Sequence, residues 1–325
     1  MTTTSSRARR RPDLSHVSTT LAAIEDNVAS VVEGKPDVVR LALITLLAEG
    51  HLLVEDVPGV GKTMLAKALA RSIDCSVSRV QFTPDLLPSD VTGVTVYAPD
   101  TGRFEFRPGP VFANLVLGDE INRAGPKTQS ALLECMEEGT VTIDGTTYEL
   151  AQPFMVIATQ NPIELEGTYP LPEAQRDRFL MRVSVGYPHA DDELRILRTH
   201  GKGDRLAELT PVADADEVAR AIHTVREVHV AEPLERYLIA LCRATRSHPE
   251  VELGASPRAA LAMLRATRAA AAIAGRDYAV PDDAKALAHH VLPHRLILRP
   301  EAQLAGHDPL AVVADVVDGV PVPTE

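Results

Sequence analysis

The stretch that most constrains this chain is Val54-Glu55-Asp56-Val57-Pro58-Gly59-Val60-Gly61-Lys62-Thr63. It leaves the apolar run Leu52-Leu53-Val54, which reads as a short buried strand, and opens a helical stretch over 64–73. A glycine loop between strand and helix turns successive backbone N–H groups inward, at the positive end of the helix dipole. Gly59 and Gly61 let the chain approach phosphate oxygens without a Cβ clash. The Lys62 ammonium can then reach β- and γ-phosphates, and the Thr63 hydroxyl can ligate Mg²⁺. Val57, Pro58, Gly59, Val60, Gly61, Lys62, Thr63 and Met64 are therefore the expected cradle for a nucleoside triphosphate. The usual spacing has one more glycine where this chain has Asp56, at the loop entrance; the half from Gly59 to Thr63 is complete.

Around this loop, apolar runs alternate with helical periodicity. Helices are expected over 15–32, 36–48 and 126–138, the last opened by Pro126. Buried strands are expected over 77–82, 115–117, 154–158 and 181–185. Two hairpins are expected at 94–107, around Pro99-Asp100-Thr101-Gly102, and at 140–150, around Asp144-Gly145. After Pro188 the strand pattern stops, alanine and arginine rise, and helical stretches follow at about 191–200, 214–228, 232–247, 256–274 and 281–291. Strands alternating with helices imply an α/β unit, a mostly parallel five-stranded sheet covered on both faces. The later helices cannot join that sheet and form an all-helical unit. The expected division is a disordered basic tail over 1–13, a nucleotide-binding domain over 14–188 and a helical domain over 189–325.

Two further strand ends carry chemistry. Leu115-Val116-Leu117-Gly118-Asp119-Glu120 is a buried strand that finishes in two carboxylates. Beside the glycine loop, Asp119 would lie near the metal and Glu120 nearer the γ-phosphate, where it can polarise an attacking water. Val156-Ile157-Ala158-Thr159-Gln160-Asn161 brings a neutral amide to the next strand end. Asn161 could orient that water without competing for the metal; its plainer reading is a turn residue before Pro162.

Composition narrows the class. Lys plus Arg number 33 and Asp plus Glu 45, a net charge of −12, which repels phosphate backbones and disfavours nucleic acid as a partner. No apolar run reaches the ~18 residues of a membrane span. The basic, polar start lacks the hydrophobic region of a secretory leader. Cys75, Cys135 and Cys242 are scattered and odd in number, as expected of reduced thiols in the cytoplasm.

In order and spacing these stretches resemble AAA+ ATPases, and more narrowly the MoxR family, in the clade that includes magnesium-chelatase ATPase subunits. The resemblance is carried by Glu55 to Thr63, Asp119-Glu120-Ile121-Asn122-Arg123-Ala124, Ala158-Thr159-Gln160-Asn161-Pro162, Leu171-Pro172-Glu173-Ala174-Gln175-Arg176-Asp177-Arg178-Phe179 and Gly254-Ala255-Ser256-Pro257-Arg258. Asp56 is itself familiar in that family. The resemblance implies a P-loop AAA+ core followed by a helical lid, binding ATP and Mg²⁺, with Thr63 and Asp119 toward the metal. It makes Arg178 the arginine finger that acts on a neighbouring subunit's nucleotide, and Arg258 the second sensor of the γ-phosphate at the start of a lid helix. Arg176 stands where the family pattern is apolar, so the finger's identity stays open between Arg176 and Arg178.

The activity implied is Mg²⁺-dependent ATP hydrolysis in a homo-oligomeric ring, a hexamer in the usual case. That ring would remodel or mature a client protein complex, for example one with a von Willebrand factor A-like domain, metal-cofactor insertion being one outcome. The two hairpins resemble the extra hairpins of the clade, facing the channel or the client. Phe104 and Phe106 then serve either the client or hairpin packing. His289, His290 and His294 lie near a helix end, where charge interaction with the C-terminus accounts for them. Alternatives from other classes are a nucleic-acid motor and a nucleotide-gated scaffold with little turnover.

Overall fold

Successive side chains of a strand face opposite ways, and in this chain both faces of the central sheet are apolar. Leu52, Val54, Leu115, Leu117, Met155 and Ile157 pack into one core, while Leu53, Val116, Val156 and Ala158 pack into another. Such strands need cover on both sides, and helices supply it. The computed structural model describes residues 14–56, 61–161, 168–199 and 205–323. The expected basic tail over 1–13 lies outside the described residues.

In chain order the strands are β1 (Leu52–Glu55), β2 (Val77–Gln81), β3 (Gly93–Ala98), β4 (Arg103–Pro108), β5 (Leu115–Asp119), β6 (Thr140–Ile143), β7 (Thr146–Glu149), β8 (Met155–Gln160), β9 (Met181–Val183), β10 (Val251–Leu253) and β11 (Ile297–Leu298). The α-helices are α1 (Ser15–Ala29), α2 (Pro36–Leu47), α3 (Lys62–Ser72), α4 (Pro88–Thr92), α5 (Pro126–Glu138), α6 (Glu173–Arg176) and α7 (Ala190–Thr199). They continue with α8 (Arg205–Glu208), α9 (Ala215–Arg226), α10 (Glu232–Ser247), α11 (Pro257–Ile273), α12 (Pro281–Val291), α13 (Pro300–Leu304) and α14 (Pro309–Gly319).

The central sheet has five strands in the order β2-β5-β8-β1-β9, and every pair in it is parallel. Close packing fixes its layers: a Cβ on Gly118 of β5 would lie 3.0 Å from the ring of Phe82, which is fully buried. The hairpins β3–β4 and β6–β7 form as the turn chemistry implies, with Asp144 and Gly145 both at positive φ. Their aromatic residues divide by face. Phe106 stacks on Tyr148 with ring centroids 4.3 Å apart, joining the two hairpins, whereas Phe104 is 74% exposed against Tyr97.

After β9 the chain is helical, with the small antiparallel pair β10–β11 added. Strands of three and two residues are too short to leave a period-2 pattern, so the sequence did not announce them. The helices α9, α11, α12 and α14 share one apolar core with α1 and α2. Asp214 and Ser256 cap α9 and α11 by accepting from the backbone N–H of Glu217 and Ala259.

His290 and His294 differ from the helix-end reading, and His51 adds a third ring desolvated by burial. His294 is buried, not a charged partner of a helix terminus: burial first, then the neighbouring Arg295, push its pKa well below the usual 6.5. Burial likewise lowers His290. His51, just before β1, is buried and pushed down to about 4 by desolvation. Its Nδ1 accepts from the Val156 N–H at 3.0 Å, which leaves Nε2 as the donor to the Met136 carbonyl at 2.9 Å. Neutral His51 therefore ties the start of β1 to β8 and to the last turn of α5.

A proton binds the unfolded chain near pH 6.5 but folded His51 only near 4. Stability must then fall as pH drops from about 6.5 toward 4, by up to ~1.4 kcal/mol per pH unit for one group. Thermal unfolding from pH 7.5 to 5 is expected to show that loss. His51→Gln, which keeps a donor and an acceptor but does not titrate, should flatten the slope; an unchanged slope would exclude His51 as its source.

Candidate functional site

Parallel pairing puts all strand ends of the sheet on one edge. That edge gathers the segment after β1, the carboxylates ending β5 and the amide after β8. Gly61 is the N-cap of α3 with φ 95°, a left-handed conformation that favours glycine although no atom of the described residues would crowd a Cβ there. Val57, Pro58, Gly59 and Val60 lie outside the described residues. Lys62 and Thr63 open α3 and are half-buried, and Met64 is more exposed.

Lys62 Nζ donates to the Asp56 carbonyl at 2.7 Å. Burial lowers its pKa, while Asp56, Asp119 and Glu120 oppose that shift and mark the negative charge around the ammonium. Asp119 is buried; its Oδ2 accepts from Arg79 Nε at 2.7 Å and its Oδ1 from the Thr159 hydroxyl at 3.3 Å. Glu120 adopts φ 58° and ψ 50°, strained for a residue with a side chain. The strain is held by its N–H donating to Thr159 Oγ1 at 3.0 Å and by the Arg123 N–H donating to its carbonyl at 2.8 Å. Glu120 Oε2 accepts from Gln81 Nε2 at 2.8 Å and Arg123 at 3.0 Å. Asn161 is buried at the end of β8, two residues beyond Thr159.

Asp56 has a structural task at the loop entrance where glycine is usual. Its carboxylate accepts from the Ser184 hydroxyl at 3.1 Å and the Gly186 N–H at 2.5 Å, tying the loop to the chain that leaves β9 for the helical half.

Arg178 and Arg258 are not on this edge. Arg178 precedes β9 and therefore lies where the strands begin. It pairs with Glu137 of α5 at 3.1 Å, and Arg258, second residue of α11, pairs with the other oxygen of the same carboxylate. The first turn of α11 is held at that edge by Ser256 to Asp177 and Arg258 to Glu137, away from its own chain's cradle. Both arginines line a cavity of about 280 Å³ with Glu49, His51, Arg265 and Arg295. Arg176 behaves differently, since its Nε is enclosed without a partner among the described residues.

Asp177, between these arginines, organises the region. Its carboxylate accepts from Arg295 Nε at 2.7 Å and from the Ser256 hydroxyl at 3.0 Å. Arg295 is buried and also donates to the carbonyls of Phe179 at 2.6 Å and Val291 at 2.5 Å. Ser256 is the N-cap of the helix that carries Arg258. The sequence reading missed Arg79, Gln81, Thr159, Glu137, Asp177 and Arg295. For Thr159 and Asp177 a signal existed, since each lies within a motif already singled out; for the others the signal is tertiary.

The comparisons with known proteins agree with this architecture. Residues 51–181 match the model for the ATPase family associated with various cellular activities (AAA), and residues 243–316 match the AAA lid domain. The chain is 41% identical to the chaperone MoxR1 of Mycobacterium tuberculosis over 305 residues, covering 91% of this chain and 80% of that protein. It is 50% identical to the uncharacterized Bacillus subtilis protein YeaC over 300 residues, 92% and 94% of the two chains. A crystal structure of a candidate ATPase from Cytophaga hutchinsonii superposes with TM-score 0.90 at 38% identity, covering 96% and 97% of the two chains. The fold is an AAA+ core followed by a helical lid. This chain belongs to the MoxR family of AAA+ ATPases.

The Asp56 contacts give a direct test. Asp56→Ala leaves the Gly186 N–H and Ser184 hydroxyl without that acceptor, which costs about 1–3 kcal/mol. A lowered Tm is expected in calorimetry; an unchanged Tm would show that the side chain does not tie the loop down.

Proposed function

We propose that this chain hydrolyses ATP at seams between copies of itself and spends the resulting change on remodelling a client protein. The observation that carries this reading is the split of its charged residues between the two edges of one parallel sheet. Lys62, Asp119 and Glu120, with Asn161, belong to the edge where strands end; Arg178 and Arg258 belong to the edge where they begin. Strands of four to six residues span roughly 13–20 Å. A guanidinium at one edge therefore cannot serve the cradle at the other, but it can serve a neighbour's. Arg178, facing the cavity with Arg258, suits the finger better than Arg176, whose Nε is enclosed.

In this reading Lys62 binds β- and γ-phosphate oxygens, and Asn161 orients a water on the γ-phosphorus. Glu120 accepts the proton of that water as its oxygen bonds to phosphorus and the bond to the ADP oxygen breaks. The neighbour's Arg178 and Arg258 stabilise the charge on the transferring group. Thr63 and Asp119 are oxygen donors of the kind Mg²⁺ takes, and Asp119 is already oriented by Arg79 and Thr159. Bound Mg²⁺ neutralises phosphoryl charge. We take residues 14–188 as the nucleotide-binding unit and 189–325 as the lid, with Asp56 holding the chain at Ser184 and Gly186 that leads into it. A ring of six such copies, acting on a client such as a von Willebrand factor A-like protein, fits the family; metal-cofactor insertion is one outcome of that work. No helix among the described residues is long and apolar enough to cross a membrane. The three free cysteines suit the reducing cytoplasm.

Lys62→Ala is expected to lose nucleotide binding in a fluorescent-ATP titration. Glu120→Gln should bind ATP and cease turnover; turnover at the wild-type rate would remove Glu120 from the reaction. Arg178→Ala should bind normally yet lose on the order of 10³-fold in kcat. Mixing it with Lys62→Ala should restore part of the activity, because one seam then combines an intact cradle with an intact finger. No recovery would exclude a site shared between subunits.

A further inference from the structure

The two arginines assigned to the neighbour's nucleotide share one carboxylate, and no other part of the proposed mechanism accounts for it. We infer that Glu137 is the positioning residue of the trans-acting arginine pair. The inference rests on the reading of a site shared between copies and extends it to a residue that touches neither nucleotide nor water.

The geometry is specific. Glu137 Oε2 forms an ion pair with Arg178, 3.1 Å from its Nη2, and Oε1 accepts a hydrogen bond from Arg258. One carboxylate thus couples the segment before β9 to the first turn of α11, two elements of different halves of the chain. Glu137 stands in the last turn of α5, which ends at Gly139 with φ 64°, so the negative end of the helix dipole reinforces its pull on both cations. The turn beneath it is fixed by His51, whose Nε2–H donates to the Met136 carbonyl. Asp177 supports both arginines from behind: it adjoins Arg178 in sequence and holds Ser256, the cap of Arg258's helix.

The pair is not a device for stability. The side chains of Arg178, Glu137 and Arg258 are 29%, 32% and 42% exposed, and ion pairs so open to solvent contribute little. What the pair does is remove rotamer freedom from two long side chains before a neighbour arrives. A guanidinium has five N–H donors. Each arginine can keep one on Glu137 and offer the rest to phosphoryl oxygens, so the anchor need not release them. The cavity also holds Arg265 and Arg295 beside Glu49 and Asp177, so that with Glu137 four arginines face three carboxylates.

The test uses the full chain with Mg²⁺ and ATP. Glu137→Ala should bind fluorescent ATP as the wild type does, and its kcat should fall about tenfold to a hundredfold with KM little changed. Glu137→Gln should stay defective, because an amide presents one acceptor where two guanidinium groups compete. Glu137→Asp should recover part of the rate. Glu138→Ala, next in sequence and exposed, should match the wild type. Equal thermal unfolding of the variants confirms that the fold is kept, and the aspartate and glutamine variants carry the comparison if alanine unfolds.

The decisive readout is mixing with Lys62→Ala. Glu137→Ala supplies the cradle and Lys62→Ala the arginines, so activity should return. Recovery with Arg178→Ala but not with Glu137→Ala would overturn the positioning role and leave the shared site standing. Failure of both mixtures would overturn the shared site and the Glu137 assignment with it. A wild-type kcat in Glu137→Ala would overturn the assignment alone.

Discussion

Parallel hydrogen bonding among the five central strands is the constraint on which the rest of this molecule depends. Because each strand runs the same way, everything that precedes a strand collects at one edge and everything that follows it collects at the other. Lys62, Asp119 and Asn161 come from three distant parts of the chain, and they converge because each follows or ends a strand. Arg178 and His51 precede strands and share the opposite edge for the same reason. A parallel sheet also buries both of its faces, which is why Leu52 to Val54 and Met155 to Ala158 are apolar throughout.

A second element of order is the buried charge at the join between the halves. Arg295 lies in the helical half, yet it donates to Asp177 and to the carbonyls of Phe179 and Leu180 at the approach to β9. Desolvation lowers the pKa of Arg295, and the Asp177 carboxylate opposes that shift. Breaking such a buried pair is costly because a lone charge would stay behind. At the other edge Asp56 makes the complementary tie, from the glycine loop to Ser184 and Gly186. Arg295 thus attaches the lid to the core at one edge, and at the other Asp56 anchors the last stretch of the core before α7. Asp56, at the entrance to the glycine loop, is thereby joined directly to the chain that leads into α7.

How far the sequence could be read follows from the range of the signal. The central strands, α5 and the hairpins were legible, since periodicity, Pro126 and Asp144-Gly145 are local features. The helices α8 and α13, of four and five residues, and the β10–β11 pair are too short to show a period. Asp119, Glu120 and Asn161 were found because they end apolar runs beside a glycine loop. Gln81 and Arg79 were not, because they are exposed residues of an edge strand whose partner β5 lies far along the chain. His294 reads as a helix-end cation in sequence and is a buried neutral ring in the fold, since only packing decides desolvation.

The order of residues alone determined the class of the molecule: a glycine loop entering a helix, carboxylates and an amide ending apolar strands, and arginines ahead of a strand and at the head of a helix. These are local properties, set by backbone conformation and side-chain chemistry within a few residues. Which groups face one another was decided only by the tertiary structure. Glu137 carries no signal in the sequence, and it becomes the common partner of Arg178 and Arg258 because α5 ends where β9 and α11 begin. The physical reason is that charge interactions act through space, and their distances are set by chain packing rather than by separation along the chain.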